Sequence, residues 1–211
     1  MTQLIRPDAS TTRTQPEGRL VPAIRGQATM HACMNDIAPA STDYIESLAG
    51  SSGEVMVVGV GDPTTTPTND FNHIIRFCAS KDASGGANVG LLCQLRQSYV
   101  SETDQGTLIA EFTGTEIPNT VDTFFRYRLT TGEASLITDY TALSLRFVVR
   151  NLRGGAPRSC RLHWAAIELP TASEPAQHRL LTEAEAARQR RGQAVVQDLD
   201  RVTVGDRSRG A

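Results

Sequence analysis

The 211 residues carry 21 Lys and Arg against 23 Asp and Glu, for a net charge of -2 and a pI near 6.1, which excludes a generally basic nucleic-acid binder. A chain of this length holds one sizeable core with extensions rather than two full domains, and no apolar run approaches the ~20 residues that cross a bilayer. Cys33, Cys78, Cys93 and Cys160 form no C-x-x-C pair, so metal-ligand spacing is absent and they read as buried free thiols rather than disulfides.

From Met1 to about Gly26 the chain is rich in Thr, Arg, Pro and Gln with no sustained period, which predicts an extended arm over 1–26, either disordered or laid along a partner. Arg6, Arg13 and Arg19 are its candidate partner contacts, since arginine is favoured at packed interfaces. The first 18 residues lack the apolar core of a secretory leader, so export by that route is not expected. Met30 to Ile37 is expected as a first strand, and Pro39 to Thr42, just before Asp43 to Ser47, as a turn or single helical turn.

The body, 27–170, then alternates short strands with turn chemistry. Glu54 to Val60 ends at Gly61-Asp62-Pro63, and His73 to Ser80 closes at a turn containing Gly85-Gly86. Val89, Leu91, Cys93 and Leu95 alternate inward, and Thr107 to Thr113 follows. In Thr123 to Leu129, Phe125, Tyr127 and Leu129 oppose Phe124, Arg126 and Arg128. Thr131 to Leu136 predicts a short helical turn capped by Thr130 or Thr131. Leu143, Leu145, Phe147 and Val149 mark one buried strand face, and with the strand carrying Trp164 this segment predicts an antiparallel hairpin around Gly154-Gly155. Regular strands with almost no helical period specify an all-β fold, a two-sheet antiparallel β-sandwich of jelly-roll type. In 171–211, a linker precedes Thr182-Glu183-Ala184-Glu185, a capping box that opens a helix to about Val202. Arg188, Arg190 and Arg191 on it are further candidate partner contacts.

Chemistry is sparse. Gly59-Val60-Gly61 is not a phosphate loop, because the third glycine position is Thr64 and Pro63 and Pro67 obstruct a following helix. The four histidines have no metal spacing. His163 beside Trp164 is the one to consider as a base, and no G-x-S-x-G accompanies it. Asp139 in Ile137-Thr138-Asp139-Tyr140 suits a turn in which its carboxylate accepts backbone N–H groups, in preference to calcium. Tyr127, Tyr140 and Trp164 are the candidate glycan-stacking aromatics, with a core tryptophan as the default. No catalytic residue, cofactor or metal is assigned, and a non-enzymatic role is expected.

The array from Thr42 to Ser47, Asn72 to Gly86, Val89 to Gln97, Gly106 to Ala110, ASLITDY at 134–140, Leu143 to Phe147 and Trp164 to Pro170 resembles virion structural proteins of tailed bacteriophages. The resemblance covers roughly residues 30 to 170. It implies a sandwich in a phage particle assembled in the host cytoplasm. The expected function is a capsid decoration or cement protein, with the major capsid protein or other virion proteins and further copies of itself as partners, no membrane, and nucleic acid unlikely. The alternative is a carbohydrate-binding module on a tail or head appendage, contacting host glycans.

Overall fold

The structure, a computed structural model, describes residues 2–14, 23–38, 42–50, 52–113, 116–117, 122–152 and 155–171. In chain order these form β1 (Thr2–Ile5), β2 (Pro7–Thr14), β3 (Ala23–Arg25), α1 (Met30–Met34), β4 (Tyr44–Glu46), β5 (Val55–Val60), β6 (Ile74–Lys81) and β7 (Asn88–Gln97). They continue with β8 (Thr107–Phe112), β9 (Glu116–Ile117), β10 (Thr123–Arg128), α2 (Thr131–Ala134), a 3-10 turn at Tyr140–Ala142, β11 (Leu143–Leu152) and β12 (Cys160–Pro170).

The strands make two antiparallel sheets. Sheet I runs β10-β6-β12-β4-β3, with β1 also on β12; sheet II runs β2-β5-β11-β7-β8, with β9 also on β7. The period-2 alternation sends Ile75, Phe77 and Ala79 of β6 and Leu162, Ala165 and Ile167 of β12 inward from sheet I. Met56, Val58, Leu91, Cys93, Leu95, Leu145 and Phe147 meet them from sheet II. Phe77 is the junction, stacked on Phe125 at 4.8 Å within its own sheet and edge-on to Phe147 of the opposite sheet at 5.5 Å. Each such side chain contributes roughly 1.5–3 kcal/mol by leaving water.

Three local expectations are corrected. The segment Leu143 to Pro170 is not a hairpin: β11 pairs β5 and β7 in sheet II, while β12 pairs β6, β4 and β1 in sheet I, so the loop between them crosses from one sheet to the other. Alternation fixes which face of a strand is buried but not which strand lies beside it. The expected arm is strand at its start, since β1 adds to β12 and β2 adds to β5; backbone pairing needs no apolar period, which is why Thr-rich sequence concealed it. Met30–Met34 is a helix, capped by Thr29 Oγ1 accepting from Ala32 N–H. Its buried Met30, Cys33 and Met34 follow the i, i+3, i+4 spacing of a helix face. Tyr44–Glu46 is a strand between β3 and β12.

Other turns form as their residues dictate. Thr130 and Glu133 close a reciprocal capping box on α2, and Asp139 Oδ1 accepts from Thr141 N–H at 2.9 Å. Gly86 and Gly155 take φ of +72° and +76°, and a Cβ on Gly155 would stand 2.8 Å from the Gly86 carbonyl carbon, so these two loops meet only as glycines. The helix expected near 182–202 lies outside the described residues.

Candidate functional site

Three strands of sheet I present an outward face whose rows follow from register. Phe124 of β10 is opposite Cys78 of β6, which is opposite Trp164 of β12; the next row is Arg126, Arg76 and Ala166, and the third is Arg128, Ile74 and Glu168. Cys78, Trp164 and Ala166 are buried and form a small apolar cluster separate from the main core. Burial, with a smaller contribution from Asp122, pushes the Cys78 thiol up to about 12. Trp164 is only 6% exposed and donates its Nε1–H to the Asp36 carbonyl at 2.8 Å. The next residue, Ile37, is 87% exposed. Phe124 stands edge-on to the indole at 6.3 Å between centroids and is itself 62% exposed. An aromatic ring held against a fixed neighbour and open to solvent is a platform rather than a core residue.

The flanks are basic. Arg76 is bound through both Nε, at 2.8 Å, and Nη2 to Glu168 Oε2, whereas Arg126 and Arg128 project outward into solvent. At the other end of the face, Arg161 lies 4.8 Å over the Tyr44 ring and donates to Glu46 at 2.9 Å.

His163 occupies the bulge between Leu162 and Trp164. Its Nε2 is 2.8 Å from Ser80 Oγ and 3.2 Å from Asp122 Oδ1. A serine relay needs the two partners on different ring nitrogens, so that one accepts the hydroxyl proton while the other is held by the acid. Here both partners share one nitrogen, and His163 and Ser80 are buried; the trio braces the bulge.

The aromatics selected from sequence do not meet. Tyr127 faces the core, half-buried, and donates to Glu133 at 2.6 Å; that bond, with burial, raises its phenol to about 12. Tyr140 is buried in the core with its hydroxyl 2.7 Å from His73 Nε2, and burial, with the charge of Asp70, also takes it to about 12. Trp164 belongs to the outward face but lies beneath other groups. Phe124, which sequence reasoning placed opposite the buried Phe125 without assigning it a role, is the accessible ring. The available signal was its alternation with Arg126 and Arg128, an aromatic on a polar face. Arg6 joins β1 to β2, its buried Nε without a hydrogen-bond partner among the described residues. Arg13 is in β2, opposite Met56. Arg19, Arg188, Arg190 and Arg191 lie outside the described residues.

A second polar cluster covers the outward face of sheet II. Gln94 Oε1 accepts from Arg96 Nε at 2.9 Å and Arg146 Nη1 at 3.1 Å, while Arg146 grips Glu102 through Nε at 2.9 Å and Nη2 at 2.6 Å. Tyr99 donates to Glu102 at 2.7 Å, and Arg96 Nη1 to the Gln105 carbonyl at 3.2 Å. These bonds fasten the β7–β8 loop down on the sheet. Their donors and acceptors are spent on the protein itself, which makes the cluster a brace.

Among the described residues no group of three or more His, Cys, Asp or Glu is placed to hold a metal, and no helix is long and apolar enough to cross a membrane. No family model and no curated protein matches the chain. Solved structures of similar fold include a xylan-binding module, CBM15, at 11% identity and a TM-score of 0.47, covering 82% of this chain and 99% of that one. They also include the CBM22-1 xylan-binding domain of Paenibacillus barcinonensis Xyn10C, at 10% identity and 0.37, covering 80% and 98%. A third is the K3 cleaved adhesin domain of Lys-gingipain from Porphyromonas gingivalis, at 8% and 0.41, covering 80% and 99%. At these identities the likeness is one of fold. The expectation of a capsid decoration protein is corrected here: the similar structures named are carbohydrate-binding modules and an adhesin domain rather than virion proteins.

Proposed function

We propose that the chain is a non-catalytic glycan-binding module whose binding surface is the outward face of β10, β6 and β12. The observation that carries this is Phe124, an aromatic ring 62% exposed on a sheet face and backed by Trp164. A flat apolar ring meets the apolar face of a sugar, and the five N–H donors of each neighbouring guanidinium meet hydroxyl and ring oxygens in fixed directions. The rigid sheet holds both in place before binding, so little ordering entropy is lost.

The test is a glycan array followed by titration calorimetry on the full chain. The array includes xylan, since two of the similar structures are xylan-binding. At least one polysaccharide is expected to bind, with affinity falling tenfold or more in Phe124→Ala and no new reducing ends on prolonged incubation. A blank array refutes the proposal, and so does binding that Phe124→Ala leaves intact.

A further inference from the structure

We infer that the glycan recognised on this face is anionic, bearing carboxylate or sulfate groups, and that Arg126 and Arg128 receive them. This rests on the glycan reading above and narrows it.

The first observation is a like-charge pairing in the strand register. Arg126 is the direct cross-strand partner of Arg76 in the β10–β6 register, and like charges placed opposite each other on one sheet face destabilise the pair. Only Arg76 is neutralised locally, by Glu168. Asp122, just before the start of β10, is directed at His163 Nε2. Arg126 and Arg128 make no ion pair among the described residues and are exposed. The second and third rows of the face thus hold three guanidiniums beside one spent carboxylate, Glu168, and the outermost strand leaves two of the three available.

The second observation is where this excess charge falls. Phe124, Arg126 and Arg128 occupy consecutive outward positions of β10, spaced by about 6.8 Å, twice the rise per residue of an antiparallel strand. An exposed aromatic and two arginines without a carboxylate partner among the described residues are both departures from what a stable sheet surface favours, and they coincide on one face of one strand. Such departures concentrate where binding is served. A charged edge strand also discourages pairing between molecules, and β10 does end sheet I. That role requires charge on the edge, but it does not require an arginine set against another arginine with an exposed phenylalanine next in line. A polymer whose sugars carry regularly placed anions satisfies both features at once: its rings lie on Phe124, and its anionic groups lie between Arg126 and Arg128, where paired N–H donors bind planar carboxylates and sulfates bidentately.

The experiment measures binding of the full chain to polygalacturonate, dextran sulfate, neutral xylan and poly-glutamate by calorimetry at low and moderate salt. Polygalacturonate or dextran sulfate is expected to bind at least tenfold more tightly than neutral xylan, with the preference shrinking as salt rises. Whichever of the two binds better identifies carboxylate or sulfate as the group recognised. R126Q and R128Q are each expected to weaken the anionic polymer about fivefold or more and a neutral one by a clearly smaller factor, since a neutral glycan loses hydrogen bonds but no charge pairing. R126Q should melt at or above the parent temperature, because it relieves the like-charge pairing with Arg76, so a binding loss in that variant is not a folding loss. Equal affinity for neutral and anionic polymers, still dependent on Phe124, overturns the anionic assignment and leaves the glycan module standing. Poly-glutamate binding as tightly as polygalacturonate overturns it in favour of a general polyanion surface. Failure of every polysaccharide overturns both proposals.

Discussion

Phe124→Ala and Trp164→Ala should separate sharply in stability, although the two rings touch. Trp164 is 6% exposed and its Nε1–H is committed to the Asp36 carbonyl. Truncating a buried tryptophan costs about 3–5 kcal/mol, and losing the hydrogen bond adds about 1 kcal/mol. Phe124 is 62% exposed, so little buried area is lost with it, and the main cost is the edge-on contact with the indole, about 0.5–1.5 kcal/mol. For a domain of this size 1 kcal/mol moves the melting temperature by roughly 2–4 °C. Phe124→Ala should therefore melt only a few degrees below the parent, and Trp164→Ala at least 8 °C below it. Thermal melts followed by far-UV circular dichroism measure both, and for Phe124→Ala the single tryptophan gives a second probe beside the altered site. If Phe124→Ala is as damaging as Trp164→Ala, Phe124 is a structural residue and the platform does not exist.

Deleting residues 1–14 removes β1 from β12 and β2 from β5. The truncated chain should lose its cooperative urea transition, and an unchanged midpoint would show that these strands are dispensable. Gln97→Ala removes three hydrogen bonds that hold the 138–139 turn, from Thr138 N–H at 2.9 Å, Asp139 N–H at 3.0 Å and to Thr138 Oγ1 at 2.8 Å. At 0.5–1.5 kcal/mol each, the loss is about 2–4 kcal/mol in a urea melt, and a loss under about 1 kcal/mol would mean that the turn holds itself. Acid should act in two stages. Burial lowers the His73 pKa below its ordinary 6.5, so below pH 6.5 the unfolded chain takes up a proton that the folded chain refuses, and stability declines until the folded-state pKa is reached. Burial raises Glu102, but hydrogen bonds from Arg146 and Tyr99 and the charges of Arg146 and Arg96 outweigh it and leave the carboxyl depressed. Its stabilisation is complete above its ordinary 4.5 and is lost as pH falls through the lower folded-state value. Urea midpoints across pH 8 to 3 should show both declines, with His73→Gln removing the first and Glu102→Gln reducing the second; midpoints that stay flat from pH 6.5 downward refute the assignment.

Much of the scaffold was legible because burial writes a period into sequence. The alternation of Leu143, Leu145, Phe147 and Val149 gave a strand and its buried face, and a threonine cap at Thr130 or Thr131 marked a helical turn, which forms with Thr130 as its cap and Glu133 closing the capping box. Partner choice was not legible. β11 and β12 are adjacent in sequence and separate in space, since pairing depends on backbone edges that carry no side-chain signature. β1 and β2 were hidden for the same reason. The stacking aromatics were misplaced for another: residue type indicates that a ring can stack, but only the neighbours decide whether it is reachable. Tyr127 and Tyr140 satisfy their hydroxyls inside the protein, through Glu133 and His73, and Trp164 is closed over by Asp36 and Phe124.

The capsid expectation followed from a resemblance carried by strand and turn segments, and such segments report the scaffold. Alternating apolar residues and turn glycines are demanded by any two-sheet sandwich that must bury its inner faces, whatever it binds. Outward positions are free of that demand, so a residue there that departs from cheap, soluble surface chemistry has to be held by something else. β10 states the distinction within six residues: Thr123, Phe125 and Tyr127 are partly buried, while Phe124, Arg126 and Arg128 are exposed. The inward set, with Phe125 stacked on Phe77 and Tyr127 bonded to Glu133, explains why the strand folds where it does. The outward set contributes little to that folding beyond the contact of Phe124 with Trp164, and the Arg126–Arg76 register works against it. Function in this chain is therefore to be sought in the outward register of β10, and exchanging Phe124, Arg126 and Arg128 together for Thr should leave the sandwich folded while abolishing glycan binding. A triple variant that still bound glycan with parental affinity would place the site on another face of the sandwich.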